Sequence, residues 1–186
     1  MPPRVKITKE DIINTGVKLV RECGEEAINA RTIASSLNCS TQPIFSNFSS
    51  MEELKEAVRL SAYGIYLDFI AKETECGKYP RYKAFGMAYI RFARDEKELF
   101  KLLFMYDRKG KPVTPTYDFE ESIRMISSAN GISYEKAQLF HTEMWTCVHG
   151  IATMFVTSFI SLEWELIENM LTDVYQGLRA RHTTEV

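Results

Sequence analysis

The chain's most chemically suggestive stretch lies between Asn29 and Leu54, which reads NARTIASSLNCSTQPIFSNFSSMEEL. Small hydroxyl and amide side chains cluster there: Ser40, Thr41, Gln42, Ser46 and Asn47. Such groups bond both phosphate oxygens and base edges, and a glutamine can pair bidentately with adenine. A second constellation is His141, Trp145 and His149, spaced i, i+4, i+8 so that all three share one helix face. An indole beside imidazoles suits a small-molecule pocket, and equally a buried Trp with a hydrogen-bonded His. Metal ligation by His141 and His149 needs further ligands that the spacing does not place. Ser/His/Asp and Cys/His spacings, a phosphate-binding glycine loop and metal-ligand runs are all lacking, so neither an enzyme nor a cofactor is expected.

These residues need elements to hold them, and helical periodicity dominates the chain. Thr8, with Asp11 three residues on, forms an acidic capping box for a first helix that Gly24 closes. Asn29 caps a second, from Ala30 to Leu37. Asn38-Cys39-Ser40 makes a tight turn in which Asn tolerates the left-handed conformation. A third short helix runs from Thr41 to Phe45 or Ser46, with Pro43 in its first turn. Ser50 and Glu53 fit a capping box opening a long helix from Met51 to about Glu75. After the break at Gly77–Pro80, further helices span Arg81 to about Asp95 and a shorter stretch to Tyr106. Residues 107–116 form a loop; helices then run from Phe119 to about Ala129, from a Ser133 cap to about Ser161, and from Leu162 to Arg179 or Arg181. No alternating pattern marks a strand. The expected fold is all-α, with about nine helices.

Composition places this fold in a broad class. Of 186 residues, 45% are hydrophobic and 26% charged, with a formal net charge of −2. No run approaches a membrane span and the N-terminus lacks the apolar core of a signal peptide, so a soluble cytoplasmic protein is expected. The scattered cysteines Cys23, Cys39, Cys76 and Cys147 suggest reduced thiols acting as small apolar residues. Net charge gives no hint of nucleic acid: residues 1–60 hold eight Lys/Arg against eight Asp/Glu. Any nucleic-acid role must rest on local pattern.

That pattern is specific. Two short helices separated by three or four residues, the second rich in small polar side chains, suit a helix-turn-helix. Ile33, Ala34, Leu37, Ile44 and Phe48 make its internal seam with Ile13, Val17 and Val20. The run Arg31-Thr32-Ile33-Ala34, the turn Asn38-Cys39-Ser40 and the ending Ile44-Phe45-Ser46-Asn47-Phe48, followed by Met51-Glu52-Glu53-Leu54, resemble the tetracycline-repressor (TetR) family of transcriptional regulators. The resemblance covers residues 8–60. Asn38 stands where that family has Gly, Phe45 where it has Tyr, and Met51 where it has Lys; the last two remove a phosphate-contacting hydroxyl and a cation.

The resemblance implies a DNA-binding domain over residues 5–64 and an effector-binding and dimerisation domain over 65–182. It places Thr41, Gln42 and Pro43 against bases, and Arg31, Ser40, Phe45 and Asn47 near phosphates, with Thr32 and Ser46 completing the surface. Arg4, Lys6 and Lys9 form an N-terminal arm. Pro43 and Phe45 read equally as packing residues, Arg31 as a solvated charge, and the arm as a basic tail.

The remainder is rich in aromatic residues and Met, a composition that packs a core or encloses an apolar ligand. Trp145, His149 and Gly150 resemble a Trp…His-Gly signature in a subset of the family's C-terminal domains. Tyr66, Tyr89, Phe92, Trp145 and His149 are the candidate effector contacts, and Gly150 permits close helix approach. Apolar stripes on the last two helices (Ile151, Phe155, Phe159, Trp164, Ile167, Leu171, Val174, Leu178) suit a four-helix contact between two-fold copies. Such a homodimer would present two recognition helices to half-sites about 34 Å apart, or farther, on a near-palindromic operator in double-stranded DNA. The expected function is a repressor released by a small-molecule effector. The alternative is a helical small-molecule-binding or adaptor protein that has lost specific DNA binding.

Overall fold

The computed structural model describes residues 7–106 and 117–183. The expected loop at 107–116, and Arg4 and Lys6 of the arm, lie outside them. Among the described residues nine α-helices form and no strand. They are α1 (Lys9–Cys23), α2 (Ala30–Ser36), α3 (Gln42–Asn47), α4 (Met51–Glu75), α5 (Arg81–Asp95), α6 (Lys97–Phe104), α7 (Tyr117–Asn130), α8 (Tyr134–Val156) and α9 (Trp164–Thr183), with one 3-10 turn at Glu25–Ala27. No helix among the described residues is long and apolar enough to cross a membrane.

The helix ends follow from local chemistry. Thr8 Oγ1 accepts from Asp11 N at 3.1 Å while Asp11 Oδ2 accepts from Thr8 N at 2.8 Å, completing the box. Asn29 Oδ1 accepts from Thr32 N at 2.9 Å, and Ser133 Oγ from Lys136 N at 3.3 Å. At α4 the box is only half made. Ser50 Oγ accepts from Glu53 N at 3.1 Å, but the Glu53 carboxylate turns to Ser49, whose backbone N–H and hydroxyl donate to it at 2.8 and 2.7 Å. Two donors on one residue outbid the single N–H of Ser50.

Helix α8 stops at Val156, short of the expected Ser161, although apolar residues continue. Ser158 takes the left-handed conformation (φ 54°), and its N–H and that of Phe159 donate back to the Phe155 and Met154 carbonyls at 3.1 and 3.0 Å. That paired bond closes the helix without a glycine. The resumption at Trp164 follows.

The chain divides into two compact units, the boundary falling inside α4 between Leu67 and Asp68. The first unit holds residues 7–67 together with Glu96–Tyr106, and therefore α6. Its core is a ladder on α4, Leu54, Val58, Ala62 and Tyr66, each at most 2% exposed and four residues apart. Against it α1 buries Ile12, Gly16, Val17, Leu19 and Val20, and α6 buries Leu99, Phe100, Leu102 and Leu103. Ile12 takes the innermost place on α1, whereas Ile13, expected on the seam, is half-buried one helical step around. Tyr66 packs edge-on to Phe104, ring centroids 5.2 Å apart. Arg21 makes a two-pronged bond to Glu96 at 2.8 and 2.7 Å. An exposed ion pair contributes about 0.2–1 kcal/mol. Each buried aliphatic side chain contributes about 1.5–3 kcal/mol, so the α4 ladder decides this unit's stability.

The second unit is built around α5. Eight of its fifteen residues are buried, on almost every side of the helix, so it must be covered all round. That demand explains α8 and α9. Ile151, Phe155, Ile167 and Leu171, from the apolar stripes of the last two helices, are all under 8% exposed within the chain. Gly86 admits Val148 of α8 closely: a Cβ there would lie 3.3 Å from its Cγ2. His182, which reads as part of a fraying C-terminus, is instead buried and bonds Glu143 Oε2 at 2.9 Å.

The α1–α4 contact is tightest at Gly16, where an added Cβ would lie 2.5 Å from Val58 Cγ2. Val58 is β-branched and stiff at χ1, so it cannot swing aside freely. Gly16→Ala is expected to cost about 1–3 kcal/mol through overpacking, despite alanine's better helix propensity; urea unfolding of the variant and the parent checks this.

Candidate functional site

Helices α2 and α3 are joined by a turn that Asn38 makes possible. Its φ is +52°, and the N–H groups of Asn38 and Cys39 donate back to the Ser35 and Ala34 carbonyls at 3.1 and 2.9 Å. This closes α2 with a left-handed residue and redirects the chain into α3. Ile33, Ala34, Ile44 and Phe48 are buried beneath the pair, at most 4% exposed, while Leu37 is half-buried.

What faces outward is polar. Arg31, Ser40 and Gln42 are exposed; Thr32, Thr41, Pro43 and Asn47 are half-exposed. No side-chain hydrogen bond or ion pair engages Arg31, Ser40, Thr41 or Gln42 among the described residues, and Thr41 precedes α3 without a side-chain cap. The other candidates are tied to their own backbone. Ser46 Oγ donates to Gln42 O at 2.9 Å, Asn47 Nδ2 to Pro43 O at 2.7 Å, and Thr32 Oγ1 to Asn29 Oδ1 at 2.9 Å. Phe45 is 55% exposed, so it is not a core residue among the described residues.

Electrostatically the surface is quiet. Between residues 25 and 54, Arg31 is the single cation in the sequence, against Glu25, Glu26, Glu52 and Glu53. Lys9 is engaged: its ammonium lies 3.1 Å from Glu53 and 4.7 Å from the Phe48 ring centroid. The Glu53 carboxyl is pulled down to about 2, chiefly by the Ser49 backbone N–H, then by its hydroxyl and by Lys9.

The second candidate site lies in the second unit. Tyr89, buried on α5, places its hydroxyl 2.9 Å from His149 Nδ1 on α8. The Trp145 indole, 41% exposed, stacks on the His149 ring at 4.8 Å and 15°. Burial lowers the His149 pKa from 6.5. Thus Tyr89, Trp145 and His149 come together. Phe92 is fully buried edge-on to Phe69, and Tyr66 belongs to the first unit. Among the described residues nothing approaches Gly150 closely, since a Cβ there would meet nothing within 4 Å.

A parallel rung stands two turns earlier. The Tyr82 hydroxyl lies 3.0 Å from His141 Nδ1, and Phe119 packs edge-on to that imidazole at 4.6 Å. Burial pushes the Tyr82 hydroxyl's pKa up. The pairing has a sequence signal in spacing across two helices: Tyr82 and Tyr89 are seven apart, His141 and His149 eight apart, so two parallel helices match them rung for rung. Among the described residues no group of three or more His, Cys, Asp or Glu is placed to hold a metal. Comparison with models of known protein families finds no match for the chain, and no curated protein matches it.

His149 supplies a test. Because its folded pKa lies below 6.5, folding favours the neutral ring. The associated stability is present above the unfolded value and is lost as pH falls through 6.5 towards the folded pKa. An NMR titration should place the ring's midpoint below 6.5. His149→Gln, whose amide can still accept from Tyr89 but does not titrate, should flatten that part of the stability–pH curve.

Proposed function

We propose that the chain is a DNA-binding transcriptional regulator of the TetR type, a repressor that works as a cytoplasmic homodimer and leaves its near-palindromic operator when a small effector binds. The observation that carries this reading is the α2–α3 pair. A left-handed Asn38 sets the turn, and Ser40, Thr41 and Gln42 stand at the start of α3 with their polar groups uncommitted. Free hydroxyl and amide groups on a short, rigidly seated helix are what base-edge reading requires.

The dimer would form through α8 and α9. Leu139, Met154 and Leu166 remain 37–48% exposed on these helices, and a Cβ at Gly150 would meet nothing within 4 Å. The effector would bind at the Tyr89–His149–Trp145 cluster, where a flat apolar surface adjoins a hydrogen-bonding imidazole. To act as a switch it must bind the DNA-free arrangement more tightly than the DNA-bound one; equal affinity moves nothing.

One observation favours the second reading, a ligand-binding or adaptor protein without DNA affinity. With Arg31 alone supplying positive charge around α2 and α3, little counterion release is available to drive binding.

Selection from random duplexes followed by mobility shifts at low salt separates the two. For the selected duplex, Gln42→Ala is expected to weaken binding by about 1–3 kcal/mol while leaving random duplex unaffected. Arg31→Ala should weaken both and reduce the salt slope by about one. Absence of any shift at low salt would sink the regulator reading.

A further inference from the structure

Helix α4 carries a second apolar row on the side away from its buried ladder. Ala57, Leu60, Gly64 and Leu67 succeed one another at steps of three, four and three residues, the seam spacing by which one helix packs along another. Leu60 is 62% exposed and Leu67 39% exposed. A Cβ at Gly64 would meet nothing within 4 Å. That glycine weakens the helix relative to alanine and serves no packing among the described residues. Beside the N-terminal half of the row lies an open depression of about 570 Å³ between α1 and α4, lined by the apolar Ile13, Ala57 and Leu60 and by Lys9, Glu10, Asn14 and Ser61.

The row is complementary to itself. Laid antiparallel about a two-fold axis at the level of residue 62, Ala57 faces the second copy's Leu67, and Leu60 faces its Gly64. A large side chain then meets a small one at every level, the condition for close helix packing. A parallel arrangement would instead set Leu against Leu and leave a gap at Gly64. Charge is compatible with the antiparallel sense. Asp68, exposed and in no ion pair among the described residues, follows Leu67. Reversed, it comes level with Glu56, which already pairs with Arg59, one residue from Ala57, beside which Lys9 lines the depression. Lys9 already bonds Glu53, and an ammonium with three donors can take a second carboxylate.

We propose that the exposed row of α4 is an interface with a second copy of this chain, packed antiparallel, with Leu67 of each copy entering the depression of the other. This contact is separate from the one proposed through α8 and α9 and does not depend on it.

Sedimentation velocity of the full chain over a concentration series tests it. Gly64→Leu sets Leu against Leu and should weaken this association about tenfold or more. Because position 64 is open within the chain, the variant should keep the parent's thermal melt. Lys9→Glu and Asp68→Lys should each weaken association, and the two together should recover it. Leu166→Glu, which removes an α8–α9 contact, should leave this step intact. A Gly64→Leu variant that associates like the parent overturns the proposal, as does a parent that shows no step sensitive to it. A charge-swapped pair that fails to recover overturns the antiparallel register.

Discussion

The seating of α1 on α4 is the constraint on which the first unit depends. Helices α2 and α3 have seven and six residues, far below the ~12–15 that an isolated helix needs to be even marginal in water. They persist because Ile33, Ala34, Ile44 and Phe48 reach a floor already made by other helices. That floor exists because Gly16 lets α1 come down onto Val58 and because the ladder from Leu54 to Tyr66 seals the other side. Any surface that α3 presents inherits its rigidity from this contact, which none of its own residues makes.

In the second unit the governing demand is polar satisfaction inside an apolar core. Helix α5 buries most of its circumference, and two of its residues facing α8, Tyr82 and Tyr89, carry hydroxyls. Each is met by an imidazole at 3.0 or 2.9 Å. A buried hydroxyl left unpaired costs about 1–3 kcal/mol, so the two rungs fix the register of α5 on α8 while apolar contacts supply the area. Beyond α8 the same device recurs where His182 and Arg181 both engage Glu143, at 2.9 and 2.7 Å. It anchors the last turn of α9.

What could be read from sequence was what local chemistry decides. The Thr8 box, the Asn29 and Ser133 caps and the left-handed turn at Asn38 involve residues within a few positions of one another, and each stands where its side chain demands. The all-helical class followed from periodicity for the same reason. The misreadings are tertiary. Apolar residues past Val156 prolong the pattern of α8, but the backbone has already closed at Ser158. Ile151, Phe155, Ile167 and Leu171 belong to stripes wide enough for two partners, and their pattern alone does not tell that these four cover their own chain. His182 looks terminal, yet it continues the spacing of Leu171, Val174 and Leu178 and is buried as Leu171 is, the two between being half-buried. Among the effector candidates, spacing on α8 was enough to join Trp145 with His149. It could not tell that Phe92 would be claimed by Phe69, or that Tyr66 would fall in the other unit.

Two glycines on facing helices make the same point about what a residue type means. Gly16 and Gly64 are chemically identical, and both weaken the helices that contain them. At Gly16 the missing side chain is repaid inside the chain, by Val58 at a distance no Cβ tolerates. At Gly64 the chain offers nothing in return, and the residues on either side along that face, Leu60 and Leu67, are left to water. A helix whose buried row is ordered like a core and whose exposed row has the spacing of a seam is built to be packed twice. The inner packing is complete within one chain. The outer row, large and small in alternation, has the shape that its own reversed copy would fill.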